Sequence, residues 1–150
     1  MLAIRTILVG VDFTETSDRA VDYATGLAEK LDASVVVMHA YEIPIYGFPE
    51  GALVASGEIA ARLSIAAQRA LDAMVESRAK PGLRLHAMLR TGNPYEETNR
   101  AADEIGADLI VIGTHGRRGL ARALLGSIAE NVIRTATRPV LVIHGPRTHA

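Results

Sequence analysis

The sequence has no cysteine at any of its 150 positions. A disulfide framework, a thiolate metal site and a cysteine nucleophile are therefore excluded, and the fold must be stabilised by packing. Aromatic residues make up only 4% of the chain, and tryptophan is absent. Surfaces on which nucleic-acid bases could stack are accordingly not expected.

Neither sign of charge dominates, because the chain has 16 lysines and arginines and 17 aspartates and glutamates, which gives a net charge of −1. A chain without a strong positive field has little means of holding nucleic acid or an anionic membrane. No apolar stretch approaches the roughly 20 residues needed to cross a bilayer, and we find no basic leader with a small-residue cleavage site. We therefore expect a cytoplasmic protein that binds neither nucleic acid nor membranes.

Apolar side chains are plentiful, at 49% of the residues, and predict one domain spanning 1–150 that buries about 68–70% of the surface exposed on unfolding. Five short apolar runs alternate with longer segments of helical periodicity, which is typical of an α/β fold with a parallel sheet. The predicted strands are Ile4–Val11, Ser34–Ala40, Leu83–Arg90, Asp108–Gly113 and Pro139–Ile143. The first, second and fourth are apolar on both faces and should be central, whereas the third and fifth should be edges.

Four helices are predicted between these strands. The first precedes the second strand, and the second runs from about Glu58 to Ala79. The third has Asn93 as N-cap and ends at Gly106, and the fourth opens with Ser127 and Glu130 as a capping box. The segment 42–57, rich in proline and glycine, has no clear periodicity and is predicted to be a mobile surface loop.

The last predicted strand contains the apolar run Val140 to Ile143. An uncovered edge of this composition would invite aggregation. We therefore predict a homodimer in which this strand is covered by the same strand of a second subunit.

Glycines are concentrated after the fourth strand, at Gly113, Gly116 and Gly126, and the last of them precedes Ser127. Glycine lets the backbone approach a ligand closely, and the start of a helix offers free N–H groups at the positive end of its dipole. With Arg117, Arg118 and Arg122 in the same loop, the pattern predicts a phosphate site. Taken singly, Gly113 and Gly116 could instead only turn the chain, and Gly126 could ease a helix–strand contact. The sequence contains neither a P-loop nor the dinucleotide fingerprint G-x-G-x-x-G.

The spacing of these residues, G-x2-G-x9-G-S, resembles the nucleotide motif of the universal stress protein family. The segment Ile7–Thr14, which contains Asp12, is similar to the first strand of that family. The segments Val37–Ala40 and Arg138–Ile143 resemble its second and last strands. The resemblance covers essentially the whole chain and the family's elements in their order.

This resemblance implies an open, doubly wound, Rossmann-like parallel sheet of five strands in the order 3-2-1-4-5, with helices on both faces. In ATP-binding members, the matching aspartate and the backbone of the residue matching Ala40 hold the adenosine, while the glycines and serine hold the phosphates. The implied binding residues are Asp12, Ala40, Gly113, Gly116, Gly126 and Ser127, with Ile128 as a further N–H donor. The implied ligand is ATP, or AMP or ADP in its place, with Mg²⁺ or Mn²⁺ bridging the phosphates.

Alternatives to a nucleotide-dependent stress or signalling module remain open at this stage. Five histidines are present, but none has the spacing of a metal or catalytic cluster, and no residue stands out as catalytic. A slow ATPase or a nucleotidyl-transfer enzyme is one alternative, and a nucleotide-free, chaperone-like dimer is another. Asp12 could also serve only to cap the turn into the first helix. The sequence does not identify partner proteins or a particular stress.

Overall fold

The computed structural model describes residues 2–44, 46–47, 53–54, 57–114 and 125–145. Their elements, in chain order, are β1 (Thr6–Gly10), α1 (Glu15–Leu31), β2 (Ser34–Tyr41), β3 (Tyr46–Gly47), β4 (Leu53–Val54), α2 (Gly57–Glu76), β5 (Arg84–Thr91), α3 (Pro94–Ile105), β6 (Leu109–Gly113), α4 (Ser127–Thr135) and β7 (Val140–Ile143). The predicted strands and helices are all present, with ends that differ by up to three residues.

The main sheet has five parallel strands in the order β5-β2-β1-β6-β7. This is the predicted order 3-2-1-4-5, and it confirms that the third and fifth predicted strands are edges. The central strands are apolar on both faces because helices cover both. Helices α1 and α2 pack on one face, and α3 and α4 on the other.

Local cap chemistry explains where α1 and α3 begin. Thr14 is the N-cap of α1, and its hydroxyl accepts from Ser17 N–H at 3.3 Å. Asn93 caps α3 by accepting from the N–H groups of the second and third helical residues, and Gly106 ends that helix in the left-handed conformation with φ 65°. Both predicted ends of α3 are therefore confirmed.

The predicted start of α4 is wrong by one residue. The N-cap is Gly126, with extended backbone and no side-chain cap, and Ser127 is the first helical residue. The predicted capping box is not formed, because Ser127 lies inside the helix and not at its N-cap. The Glu130 carboxylate pairs with Arg134, one turn further along the helix, at 2.7 Å. The Ser127 hydroxyl is thus not used as a cap.

The segment 42–57 also differs from its prediction as a loop without regular structure. Strands β3 and β4 pair in antiparallel orientation within it, with Tyr46 opposite Val54. Strands of two residues carry no periodicity that a sequence could reveal. Residues 45, 48–52 and 55–56 of this segment lie outside the described residues.

Among the helices of the described ranges, none has both the length and the apolar character that crossing a bilayer requires.

Candidate functional site

A cleft of about 890 Å³ lies beyond the carboxyl ends of β1, β2 and β6. The strand order reverses between β1 and β6, and open α/β sheets bind their ligands at such switch points. Six of the seven predicted binding residues line the cleft, namely Asp12, Ala40, Gly113, Gly126, Ser127 and Ile128. Gly116 lies outside the described residues, as do Arg117, Arg118 and Arg122. The volume suits a ligand of cofactor size.

Asp12 has a structural role in the turn between β1 and α1. Its Oδ1 accepts from Thr14 N–H at 3.1 Å and from the Thr14 hydroxyl at 2.5 Å. The intervening Phe13 adopts the left-handed conformation, with φ 63°, which is uncommon for a bulky residue and is held here by the surrounding contacts. Asp12 therefore orders the turn through Oδ1, and its Oδ2 has no hydrogen-bond partner among the described residues.

Ala40 lies near the end of β2, beyond the point where its neighbour β1 has ended. β2 pairs with β1 through Met38, whose carbonyl accepts from Val11 N–H at 2.9 Å, and with β5 through Tyr41, whose carbonyl accepts from Gly92 N–H at 2.8 Å. Because successive residues of a strand direct their backbone groups to opposite sides, the N–H and C=O of Ala40 face the β1 side. Neither group is hydrogen-bonded within the described ranges, so both are available in the cleft.

The N-terminus of α4 presents free donors to the same cleft. The first intrahelical bond runs from Glu130 N–H to Gly126 O at 3.0 Å. The N–H groups of Ser127, Ile128 and Ala129 therefore have no partner inside the helix. They lie at the positive end of the helix dipole, where an anion is stabilised.

Gly113 lines the cleft, but its lack of a side chain has a packing reason. A Cβ at this position would lie 2.6 Å from Thr16 Cγ2, closer than carbon atoms can pack. Glycine thus allows β6 to approach the first turn of α1. The sequence offered a turn as the alternative role of Gly113 and assigned a helix–strand contact to Gly126 instead, so this packing role of Gly113 was not predicted.

Several cleft residues were not singled out from the sequence. Helix α2 supplies an apolar wall of Leu63, Ala66, Ala67 and Ala70. These residues follow the helical periodicity that predicts a core face, but the fully buried contacts of α2 are made further along, by Leu71 and Met74. The apolar face of the first half of α2 is therefore directed at the cleft rather than at the core.

Two polar side chains in the cleft were also not identified from the sequence. The Thr114 hydroxyl is buried and has no hydrogen-bond partner among the described residues, a costly state unless a ligand or water satisfies it. Tyr41 hydrogen-bonds Ser64 and, with a smaller effect, Thr91, and these bonds lower the pKa of the Tyr41 phenol from its ordinary value of 10.0.

No group of three or more histidine or acidic side chains in the described ranges is arranged to hold a metal ion. Among the described residues, the polar groups at the cleft include a carboxylate oxygen, hydroxyls and several backbone groups without a hydrogen-bond partner. Such a set can recognise a polar ring and an anion by hydrogen bonds.

Comparisons with known proteins agree with this architecture. A model of the universal stress protein family matches residues 3–144. Universal stress protein MJ0531 of Methanocaldococcus jannaschii is 34% identical over 145 residues, which are 95% of this chain and 84% of that protein. The solved structure of MJ0577, from the same organism, has a TM-score of 0.81 at 24% identity and covers 97% of this chain and 99% of its own. A universal stress protein solved in complex with cAMP has a TM-score of 0.64 at 30% identity, with 95% of this chain and 98% of that chain covered. The chain belongs to the universal stress protein family.

Proposed function

We propose that this protein binds ATP, or AMP or ADP in its place, in the cleft at the β1–β6 switch point and acts as a dimeric, nucleotide-dependent stress or signalling module. One observation carries the proposal: the backbone groups of Ala40 and the first N–H groups of α4, which have no hydrogen-bond partner among the described residues, belong to residues that line the same cleft. The complex of a 30% identical family member with cAMP, an adenine nucleotide, supports it.

The end of the cleft at β2 suits an adenosine. Adenine offers an amino donor next to a ring-nitrogen acceptor, and the C=O and N–H of Ala40 form the complementary pair. The free Oδ2 of Asp12 can accept a hydrogen bond from a ribose hydroxyl. The apolar wall of α2, which includes Leu63 and Ala67, would shield the base from water.

The end of the cleft at α4 suits phosphates. Three N–H groups at a helix start bind an anion through both hydrogen bonds and the helix dipole. The Ser127 hydroxyl, which does not cap the helix, can donate to a phosphate oxygen. A Mg²⁺ or Mn²⁺ ion would be held largely by phosphate oxygens and water, as Mg²⁺ commonly is.

The test is to denature the purified protein, identify any co-purified nucleotide by chromatography, and titrate the refolded protein calorimetrically with ATP and Mg²⁺. We expect saturable binding of one nucleotide per chain. The absence of both retained nucleotide and binding heat would contradict the proposal. Hydrolysis faster than about 1 s⁻¹, a rate typical of dedicated enzymes, would favour the ATPase alternative.

The variant Gly126→Val sharpens this test. Gly126 has φ −59° and ψ 154°, which a β-branched residue adopts without strain, so the variant should fold. Its side chain would project where a phosphate must approach, and ATP binding should be lost. The matched control is Gly26→Val, because Gly26 has open space around its Cα on the exposed face of α1. Equal ATP affinity in the two variants would show that ATP binding does not need glycine at position 126.

We also propose that the dimer forms through β7. In the register of β6 with β7, Leu141 and Ile143 bond to β6, while the backbone groups of Val140 and Val142 face the open edge. The four residues of β7 are only partly buried. A second copy of β7 would pair these groups and cover the apolar edge. A cytoplasmic location stays a prediction.

A further inference from the structure

His39 is a buried side chain next to the proposed adenosine site. Its Nδ1 lies 2.7 Å from the carbonyl oxygen of Val11, the residue that follows β1. A carbonyl oxygen only accepts hydrogen bonds, so Nδ1 must carry the proton and donate. The ring also contacts Phe13, with centroids 4.4 Å apart. His39 therefore connects the end of β2 to the turn that follows β1.

The Val11 carbonyl is the acceptor that Ala40 would otherwise use. β1 and β2 pair in parallel, with Gly10 opposite Met38, and Val11 N–H donates to Met38 O. If the ladder continued in this register, the next bond would run from Ala40 N–H to Val11 O. That bond is not formed in the described structure. The Val11 carbonyl instead accepts from the imidazole of His39.

The second bond of a continued ladder is prevented in the turn. It would run from Phe13 N–H to Ala40 O in the same register. Phe13 has φ 63°, however, so the chain leaves the strand direction at this residue. The ring contact between Phe13 and His39 supports that departure. The N–H and the C=O of Ala40 thus both lack a partner in the β1 segment. The N–H lacks one because His39 donates to Val11 O, and the C=O lacks one because the chain turns away at Phe13, whose ring contacts His39.

We propose that His39 is a positioning residue for nucleotide binding: by donating to Val11 O, it ends the β1–β2 ladder and keeps the N–H of Ala40 free for the base. The inference rests on the proposed function, because the free N–H matters only if a ligand uses it. It does not require His39 to touch the ligand.

Two variants distinguish the role of the N–H donor of His39 from the role of its ring. In His39→Asn, the side-chain amide can place an N–H donor near the position of Nδ1, whereas His39→Leu has no donor. We expect His39→Leu to bind ATP about three- to tenfold more weakly, as the loss of one hydrogen bond predicts. His39→Asn should stay within about twofold of the wild type. Calorimetric titration of the full chain gives the affinities, and urea unfolding verifies that both variants are folded. Unchanged affinity in both, or equal losses in both, would overturn the proposal.

A measurement on the ligand-free protein separates a failure of this inference from a failure of the proposed function. Amide NMR should find Ala40 N–H without an intramolecular hydrogen bond in the wild type and bonded to Val11 O in His39→Leu. A bonded Ala40 N–H in the wild type would overturn the inference whether or not ATP binds. If His39→Leu does not fold, nitrogen-15 shifts of the wild-type imidazole decide instead. A protonated Nδ1 supports the inference, and a bare Nδ1 overturns it.

Discussion

Gly113 and Gly126 belong to the same glycine motif but meet different physical demands. Gly113 faces Thr16 Cγ2 so closely that any side chain would clash. Gly126 has a backbone conformation open to every residue, so backbone strain does not require glycine there. Spacing in a sequence cannot separate these cases, because it does not show which neighbours approach each glycine.

Gly113→Ala should therefore destabilise the fold. The new Cβ would lie 2.6 Å from Thr16 Cγ2, and overpacking of this kind costs about 1–3 kcal/mol. In a Thr16→Ser background, which lacks that methyl group, the nearest atoms of residue 16 are at 3.4 Å, and most of the cost should disappear. Urea unfolding of the two single variants and the double variant measures the coupling. Additive effects would show that Thr16 is not the obstacle.

Asp12→Asn separates the two roles of the carboxylate. The amide oxygen of asparagine can still accept the bonds that Oδ1 receives from Thr14, so the stability should change little. The second oxygen is replaced by a donor, which cannot accept from a ribose hydroxyl. ATP affinity in calorimetry should fall roughly 10- to 100-fold, the range for a hydrogen bond to a charged group. A large loss of stability with unchanged affinity would show that Asp12 serves only the turn.

The residues that the sequence indicated are those whose positions follow from a motif. Asp12, Ala40 and Gly126 were identified by resemblance, and all three line the cleft. His39 was visible only as one histidine in an apolar strand. Its significance depends on the register of β1 against β2, and register is a relation between two segments that one segment does not encode.

At the scale of elements, local chemistry determined which boundaries could be predicted. The start of α3 was predicted correctly because Asn93 and Pro94 act within one turn of helix. The start of α4 was misplaced because the spacing of Ser127 and Glu130 matches the sequence pattern of a capping box. The side chain of Glu130 pairs instead with Arg134 on the next turn, a competing interaction that the cap pattern does not weigh.

The proposed dimer edge can be tested with Val142→Pro. Proline removes the N–H that Val142 directs to the open side of β7 and leaves the bonds of Leu141 and Ile143 to β6 in place. The variant should be a folded monomer in light scattering at micromolar concentration, where the wild type should be a dimer. Val142→Ala keeps the N–H and should stay dimeric. A dimeric proline variant, or a monomeric wild type, would contradict pairing through this edge.

At the scale of the whole molecule, the alternation of apolar runs and helical segments predicted an α/β fold, and the family resemblance supplied the strand order. Both are confirmed by the parallel sheet β5-β2-β1-β6-β7. The cleft could be placed in advance because its position follows from that order. Its lining by α2 could not, because the sequence does not reveal how far an amphipathic helix extends past the sheet.

The amino ends of β1 and β6 are joined by one carboxylate. Asp108 Oδ2 accepts from Arg5 N–H at 2.8 Å and from Thr6 N–H at 3.0 Å. These two backbone hydrogen bonds, assisted by the charge of Arg138, lower the pKa of Asp108 from its ordinary value of 3.8. The bonds link residues more than 100 positions apart in the chain, so they exist only in the folded state.

A pKa that is lower in the folded state stabilises the protein at every pH above the ordinary value of 3.8. The contribution is lost as the pH falls through the folded pKa, because protonation then removes the charge that the backbone donors stabilise. Asp108→Asn, which cannot titrate, should therefore be less stable than the wild type at pH 7. The difference in the free energy of unfolding should hold down to about pH 5 and shrink below about pH 4. Asp103, whose pKa is lowered by Thr137 and Arg138, is present in both proteins, so its effect cancels in the difference. Urea unfolding at a series of pH values gives this difference, and a gap that stays constant to pH 3 would show that the Asp108 charge does not stabilise the junction of β1 and β6.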